Sequence, residues 1–387
     1  MWKNIKKIIA DNKGIFAIGI GDIAGNCISA SFWFILAIFV GPEEYGQIHY
    51  FLAIAGLAQI FSLIATSNTL VVYTAKKIQI QSSLVFISFI LGIISAIAVI
   101  ITTNRFDVAL LVFAFMSIEI SSGILLGSKK YSTYSKYLLI QKILLFTFGL
   151  SFFHFFGIDW IFLGIALSYV AYTKILFYEL RKIKIDFSLI PDRKGFIFNN
   201  YVLILSGSIT NQIDKFIIAP ILGFGILGEY SLALQILVIL TLVSSISFKY
   251  FLSQDSTNEK NNDIKKIVIF ISIGIAIFGS LILPSIIPVF FSEYTNTIDA
   301  IRILSWIVVP ETLQLIFSSK LLGSEKSKFV LMSNIISTIF LIIGFLTLGP
   351  LYGIVGLSII LLISTIIQVF ILIYGVKRAN TDMKPKI

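Results

Sequence analysis

Apolar runs of about 20 residues recur from one end of this chain to the other, each long enough to cross the hydrocarbon core of a bilayer as a helix. Such runs leave few folds open, because backbone in hydrocarbon must satisfy its hydrogen bonds within the protein. They are continuous rather than alternating, which excludes a membrane barrel and leaves a bundle of helices. Composition agrees: of 387 residues, 57% are hydrophobic and 13% charged, with a mean hydropathy of +0.96. A water-soluble domain carries about a quarter of its residues as charges. The chain reads as an all-α polytopic membrane protein.

Breaking the runs at charge clusters and at Gly-Pro turns gives twelve spans, at 14–40, 48–74, 83–103, 107–128, 137–156, 159–180, 197–221, 226–250, 264–291, 299–320, 328–348 and 352–376. The basic residues test this count, since Lys and Arg gather in short cytoplasmic loops. One side collects Lys3, Lys6, Lys7, Lys13, Lys76, Lys77, Lys129, Lys130, Lys136, Lys142, Arg181, Lys182, Lys184, Arg193 and Lys194. It continues with Lys249, Lys260, Lys265, Lys266, Lys320, Lys326, Lys328, Lys377, Arg378, Lys384 and Lys386, which makes 26 of the 30 basic residues. The other side holds Arg105 and Arg302, and Lys174 and Lys215 fall inside spans. The net charge of +10 is therefore a topological signal, with both termini cytoplasmic in the cell membrane, and no nucleic-acid partner is needed to explain it. The loops on the opposite side are too short for an external catalytic domain.

Several chemistries are excluded. A single cysteine, Cys27, rules out a disulfide framework and a Cys-based zinc site, and His49 and His154 are too few for a His-rich metal cluster. No metal or cofactor is expected. Lys3, Lys6 and Lys7 resemble the start of a signal peptide, but the run that follows is too long to be cleaved and reads as a retained first span. Trp2, Ile5, Ile8 and Ile9 among those lysines read as a short interfacial segment.

The chain also repeats itself. At an offset of 182 residues, Gly25 falls on Gly207, Phe34 on Phe216, Ile35 on Ile217, Ala37 on Ala219, Gly41 on Gly223 and Gly46 on Gly228, six identities in 22 positions without a gap. Six spans separate the copies, so they share orientation and form a parallel repeat about an axis along the membrane normal. The expected organisation is a six-helix bundle over 1–180, a cytoplasmic linker over 181–196 and a second six-helix bundle over 197–387. The glycines Gly41, Gly46, Gly223 and Gly228 are expected in tight turns.

The segment Phe39-Val-Gly-Pro-Glu-Glu-Tyr-Gly-Gln-Ile-His-Tyr is similar to the F-G-P-E-E-Y-G signature that follows the first helix of polysaccharide and O-antigen flippases, with Val40 inserted between Phe and Gly. Leu227-Gly-Glu-Tyr-Ser-Leu-Ala233 is similar to their G-x-Y-S-x-A pattern in the second half. The chain thus resembles a lipid-linked oligosaccharide flippase of the multidrug, oligosaccharidyl-lipid and polysaccharide exporter superfamily. The resemblance implies two bundles around a central cavity, alternating access, and a polyprenyl-phosphate-linked glycan as cargo. It further implies a place in polysaccharide, O-antigen or lipopolysaccharide biosynthesis beside assembly enzymes, with a proton or sodium ion as a candidate coupling ion.

Ionisable groups inside spans are costly, about 2.5 to 3.5 kcal/mol each at a helix centre, and should face water or a partner. They are Asp22, Glu119, Lys174, Asp214, Lys215 and Glu311. Helical spacing puts Asp22, Asn26, Ser29 and Trp33 on one stripe of span one, and Ser208, Asn211 and Lys215 on the equivalent stripe of span seven. Glu311, Gln314 and Ser318 form another, as do Gln59, Ser62 and Thr66. All are expected to line a central cavity. Lys215 reads either as a point charge for a cargo phosphate or as half of an interhelical ion pair with Asp22 or Glu311. Asp214, its neighbour, should point elsewhere and neutralise it only in part. Asp22 and Glu119 read as ion-coupling or as structural polar groups, and Lys174 as snorkelling to the cytoplasmic interface. Arg105 and Arg302 read as outer-interface anchors. His49 reads as an interface residue more readily than as a proton relay, and Pro284, Pro288 and Pro310 as kinks.

Three other functions compete with the flippase. A multidrug exporter of the same superfamily would favour an acidic cavity, and Lys215 argues against that. A membrane-embedded polymerase or acyltransferase would need a large outer loop rich in Arg and His or a deep catalytic His, and neither is present, so no enzymatic activity is expected. A passive scaffold would leave the repeat and the polar stripes without a purpose.

Overall fold

The computed structural model describes residues 13–182, 185–256, 262–324 and 326–382. The interfacial segment expected around Trp2 lies outside them, as do Lys184, Lys260, Lys384 and Lys386. Regular structure among the described residues is helical throughout. In chain order the helices are α1 (Lys13–Phe39), α2 (Pro42–Ser62), α3 (Ser67–Ala75), α4 (Gln81–Thr103), α5 (Phe106–Gly127), α6 (Tyr131–Phe156), α7 (Ile161–Leu167) and α8 (Val170–Lys182). They continue as α9 (Lys194–Leu240), α10 (Leu242–Ser256), α11 (Asn262–Leu281), α12 (Leu283–Phe290), α13 (Thr297–Leu304), α14 (Val308–Gly323) and α15 (Ser327–Asp382).

Two of these helices are too long to be single spans. At 1.5 Å per residue, the 47 residues of α9 and the 56 of α15 would reach about 70 and 84 Å if straight, more than twice a bilayer core. Each is broken at a glycine that leaves the helical region, Gly223 at φ 87° and ψ 167° and Gly353 at φ 54° and ψ −136°. Each therefore supplies two spans, and the twelve expected spans are all present among the described residues. The segment read as a linker holds two short 3-10 turns, Phe187–Leu189 and Pro191–Arg193. It is tied back by Ser83, whose hydroxyl donates to the Asp186 carbonyl and accepts from the Asp186 N–H, both at 2.8 Å.

The second span departs from the continuous helix expected over 48–74. It breaks after Ser62 and resumes at Ser67 with a bend of 42°. No proline or glycine marks the break; a run of hydroxyl groups does. The Ala65 N–H freed by it donates to Ser88 Oγ at 2.8 Å, and Thr66 caps α3 by accepting from the Thr69 N–H. Buried backbone thus keeps its hydrogen bonds at membrane depth. Gln59, Ser62 and Thr66 were expected to line a cavity, yet Ser62 and Thr66 are fully buried and Gln59 nearly so. Ser62 donates to the Gln59 carbonyl at 2.7 Å and Thr66 to Thr69 Oγ1 at 2.8 Å, so these groups serve the break.

The chain divides into two compact units, one comprising the described residues up to Leu36 and Tyr50–Gln212, the other Ala37–His49 and Ile213 onward. In the first unit, Arg105 is more than an interface anchor. Its guanidinium donates twice to the Asp107 carboxylate, at 3.2 and 2.8 Å, and once to the Asp159 carbonyl at 2.9 Å. It also lies 5.4 Å from the centre of the Phe51 ring and 4.9 Å from that of Phe162. One side chain thereby joins α2, the start of α5, and α7 with the turn before it.

In the second unit, Ala37–His49 packs with sequence from the other half of the chain through an unusually close contact. Gly46 and Gly228 were expected in turns, but both lie inside helices. A Cβ on Gly46 would fall on the Phe224 carbonyl oxygen and 2.8 Å from the Gly228 nitrogen; one on Gly228 would fall on the Pro42 carbonyl oxygen and 2.9 Å from the Gly46 nitrogen. Only two glycines allow the backbones this near. Pro42 and Phe224 are also 182 positions apart, so the crossing repeats itself under exchange of the two sequence repeats. It is a two-fold contact made within one chain, the intramolecular counterpart of an isologous interface. Around it, the Tyr294 hydroxyl donates to the Val40 carbonyl at 2.9 Å, and Glu229 accepts from Asn296 Nδ2 at 3.0 Å. The far end of the unit is held by Asp255, which accepts from Lys265 Nζ at 2.7 Å and from the Ser319 hydroxyl at 2.6 Å, joining α10, α11 and α14.

Two outcomes follow for thermal unfolding in detergent. Gly46→Ala and Gly228→Ala should each destabilise by at least about 2 kcal/mol, and by similar amounts, despite about 1 kcal/mol gained in helix propensity. Gly225→Ala, where an added Cβ meets open space, should be neutral or stabilising. Arg105→Ala should cost about 2 to 3 kcal/mol, and Arg105→Lys should recover less than half, because a lysine lacks the planar fork that meets Asp107 and the Asp159 carbonyl at once while lying over two rings.

Candidate functional site

The residues of the polar stripe on α1 differ in exposure. Asp22, Ser29 and Trp33 are partly buried in the first unit and Asn26 is exposed. Asn211, in the part of α9 belonging to the same unit, is exposed as well. An amide exposed at mid-span faces water far more favourably than hydrocarbon, which argues for a wet space along these faces. Trp33 stands edge-on to Phe32 at 4.8 Å.

Behind this face lies a group of titratable side chains drawn from four helices. Glu119 on α5 is partly buried and makes no hydrogen bond or ion pair among the described residues. Tyr134 on α6 lies within electrostatic reach of both Asp22 and Glu119, and Tyr169, just before α8, within reach of Glu119. The ring of Tyr137 stacks obliquely on that of Tyr172 at 5.9 Å. Gln141 donates to the Ser168 hydroxyl at 3.1 Å, binding α6 to the α7–α8 junction.

Lys142 belongs to this group, although its place among the loop lysines is what the sequence pattern implied. The polar start of α6, Tyr131 to Lys136, delays the apolar run and hides the first turns of the helix. With α6 beginning at Tyr131, Lys142 lies eleven residues in, about 16 Å along the axis and well inside the helix. Its stem passes Gly25 of α1, whose added Cβ would stand 3.4 Å from Lys142 Cγ. Gly25 is 60° around the helix from Asp22, at the edge of the polar stripe. Lys142 is partly buried and forms no ion pair with a described carboxylate.

Lys215, in the second unit, pairs with its own neighbour in sequence. Its ammonium folds back on Asp214, 2.9 and 3.0 Å from the two carboxylate oxygens, and the Asp214 carboxylate also accepts from the Lys215 N–H at 2.9 Å. Successive Cα–Cβ bonds diverge on a helix, but the four-carbon stem of lysine spans the gap. In a poorly solvated setting the Coulomb term strongly rewards the pairing. Both side chains are largely buried, at 14% and 11% exposure. His49 lies within electrostatic reach of Lys215, and the buried Tyr230 within reach of Asp214. The pair is close to neutral, so Lys215 is not an available cation.

Glu311 and Gln314 stand one turn apart at the start of α14, both partly buried, and Glu311 makes no hydrogen bond or ion pair among the described residues. Thr312 between them shares a 2.6 Å hydrogen bond with Ser244. Ser318, expected on the same stripe, is buried. Among the described residues no group of three or more His, Cys, Asp or Glu side chains is arranged to hold a metal ion.

No protein-family profile and no curated protein sequence matches this chain. Solved structures do. A lipid II flippase, MurJ, in an inward closed conformation superposes with a TM-score of 0.75 at 17% identity, covering 93% of this chain and 87% of that one. A multidrug resistance MATE family transporter of the MOP superfamily in an inward-facing conformation gives 0.67 at 15% identity, over 97% and 100%. A MOP superfamily transporter from Pyrococcus furiosus gives 0.55 at 16% identity, over 96% and 94%. At these identities the likeness is one of fold alone: the chain shares the overall architecture of these transporters.

Proposed function

We propose that this protein is a flippase that carries a lipid-linked, phosphate-bearing glycan from the cytoplasmic to the outer leaflet of the cell membrane by alternating access. The observation that carries the reading is Lys142, an ammonium inside a membrane-spanning helix and beside the polar stripe of α1, with no ion pair to a described carboxylate. A cation left so is costly unless water or an anion meets it, and the phosphate of a polyprenyl-linked cargo is an anion that arrives with its own apolar tail. Asn26, Ser29 and Asn211 supply hydrogen-bonding groups for sugar hydroxyls, and Trp33 a flat apolar surface for a sugar face. Asp214 and Lys215 act as a structural pair.

The lipid II flippase with the same architecture supports a lipid-linked cargo, and the short F-x-G-P-E-E-Y-G and G-x-Y-S-x-A segments support a cargo made for O-antigen or related surface polysaccharides, in partnership with the enzymes that assemble them. In this reading both termini are cytoplasmic, the basic loops face the anionic inner leaflet, and the Gly46–Gly228 crossing closes the outer side. Asp22 and Glu119, close to Tyr134, are candidates for proton or sodium coupling. The protein makes and breaks no bonds in its cargo.

A second reading, export of cationic drugs, is favoured by one observation: Glu119 and Glu311 make no hydrogen bond or ion pair among the described residues. Proteoliposomes separate the two. The wild type should translocate a fluorescent polyprenyl-linked oligosaccharide and Lys142→Ala should slow it about 10- to 100-fold, the worth of one charge-assisted contact. Lys142→Arg should retain most activity and Lys215→Ala should lose less than Lys142→Ala. Full activity in Lys142→Ala contradicts the site, whereas export of a cationic dye with no lipid translocation by folded wild type replaces the flippase with the drug exporter.

A further inference from the structure

A second cluster of basic and aromatic side chains, which shares Tyr137 with the candidate site, lies where α5 finishes, α6 begins and α8 approaches its last turn. A cavity of about 620 Å³ opens there, lined by Leu125, Lys130, Thr133, Tyr137, Lys174 and Tyr178, with Ile175 and Phe177 completing its wall. Its volume lies within the range of small-ligand sites. Two ammonium groups and three hydroxyls line it, and no carboxylate does. Neither Lys130 nor Lys174 is engaged in an ion pair among the described residues. The rest of the wall is apolar, and Phe177 and Tyr178 are 64% and 58% exposed beside it.

Each part of this arrangement matches a part of one molecule. Lysines offer point charges to a phosphodiester without demanding fixed geometry. Thr133 and Tyr137 add donors for its free oxygens. Leu125, Ile175 and Phe177 offer a slot to the first methylenes of an acyl chain, and an aromatic pair at the end of a membrane-spanning segment sits at headgroup depth. Lys129, Lys130 and Lys136 stand close together in sequence at this end of α5 and α6, the pattern that meets an anionic leaflet. A soluble phosphate would use the lysines and leave the apolar wall wet.

We propose that this cavity is a binding site for an anionic phospholipid, with Lys130 and Lys174 holding the phosphate and Phe177 and Tyr178 flanking the acyl chains. Such a lipid fixes α5, α6 and α8 to one another at the membrane surface. The expected snorkelling of Lys174 is thereby given a destination.

Native mass spectrometry of the full chain in detergent tests this by titration with phosphatidylglycerol, phosphatidylcholine and glycerol 1-phosphate in parallel. The wild type should retain one phosphatidylglycerol about thirtyfold more tightly than Lys130→Ala/Lys174→Ala, the effect expected for two cationic contacts at an anionic surface. Phosphatidylcholine should bind both proteins alike, and glycerol 1-phosphate should not be retained at the same concentrations. Lys130→Arg/Lys174→Arg should stay within about threefold of the wild type, which separates loss of charge from loss of fold, and Lys76→Ala/Lys77→Ala should behave as wild type. Equal phosphatidylglycerol retention by the wild type and the double alanine variant overturns the proposal. Retention of glycerol 1-phosphate as tight as that of the lipid overturns it too, by making the cavity a site for soluble phosphates.

Discussion

The crossing of Gly46 and Gly228 is the contact on which the second unit depends. Two helix backbones meet there with no side chain between them, and each places a carbonyl where the other would carry a Cβ. Hydrophobic burial does not favour helix association in a bilayer as it does in water, so close van der Waals packing between small residues carries unusual weight. The partners are equivalent positions of an internal repeat, and each close approach has its counterpart under the 182-residue offset. The hydrogen bonds from Tyr294 to Val40 and from Asn296 to Glu229 surround it, and the edge-on stacking of Tyr45 on His49 at 4.6 Å lies one helical turn away. Through these contacts Ala37–His49 joins a unit made otherwise of the second half of the chain.

The buried charges divide into those the protein neutralises and those it leaves to something else. Arg105 with Asp107, Asp214 with Lys215, and Lys265 with Asp255 are internal pairs with further hydrogen bonds or aromatic faces around them. Lys142, Glu119 and Glu311 lack such partners among the described residues. A chain that closes three ion pairs with good geometry has the means to close a fourth. A lysine and two glutamates left so within membrane-spanning helices are the groups on which the proposed transport function rests.

Much of this was legible in the sequence. Hydropathy and the alternation of basic loops located all twelve spans, and the 182-residue repeat picked out Gly46 and Gly228 as equivalent positions. What they do there was not legible: a glycine spared for a turn and a glycine spared for a backbone crossing look the same in one sequence, and contact between distant segments decides which it is. The break at 63–66 was hidden because hydroxyl side chains rather than proline or glycine support it. Lys142 was misplaced because a polar first turn shifts the hydropathy window off the true helix start. Pairing of Lys215 with its neighbour ran against the rule that successive side chains diverge, a rule about Cβ directions that a four-carbon stem escapes. The cavity around Lys130 and Lys174 joins residues more than forty positions apart and has no linear signature.

If the Gly46–Gly228 crossing is the outer closure of an alternating-access cycle, as proposed, it parts during that cycle, and that is the claim to measure. Spin labels at Glu43→Cys and Gly225→Cys, equivalent positions beside the crossing, placed in a Cys27→Ser background, report its state by pulsed electron resonance in proteoliposomes. The account predicts a short distance in the resting protein and a second, longer population when the lipid-linked cargo is supplied, together with loss of the longer population in Lys142→Ala. A single short distance under every condition, in protein that still translocates its cargo, would make the crossing a permanent strut and contradict the account.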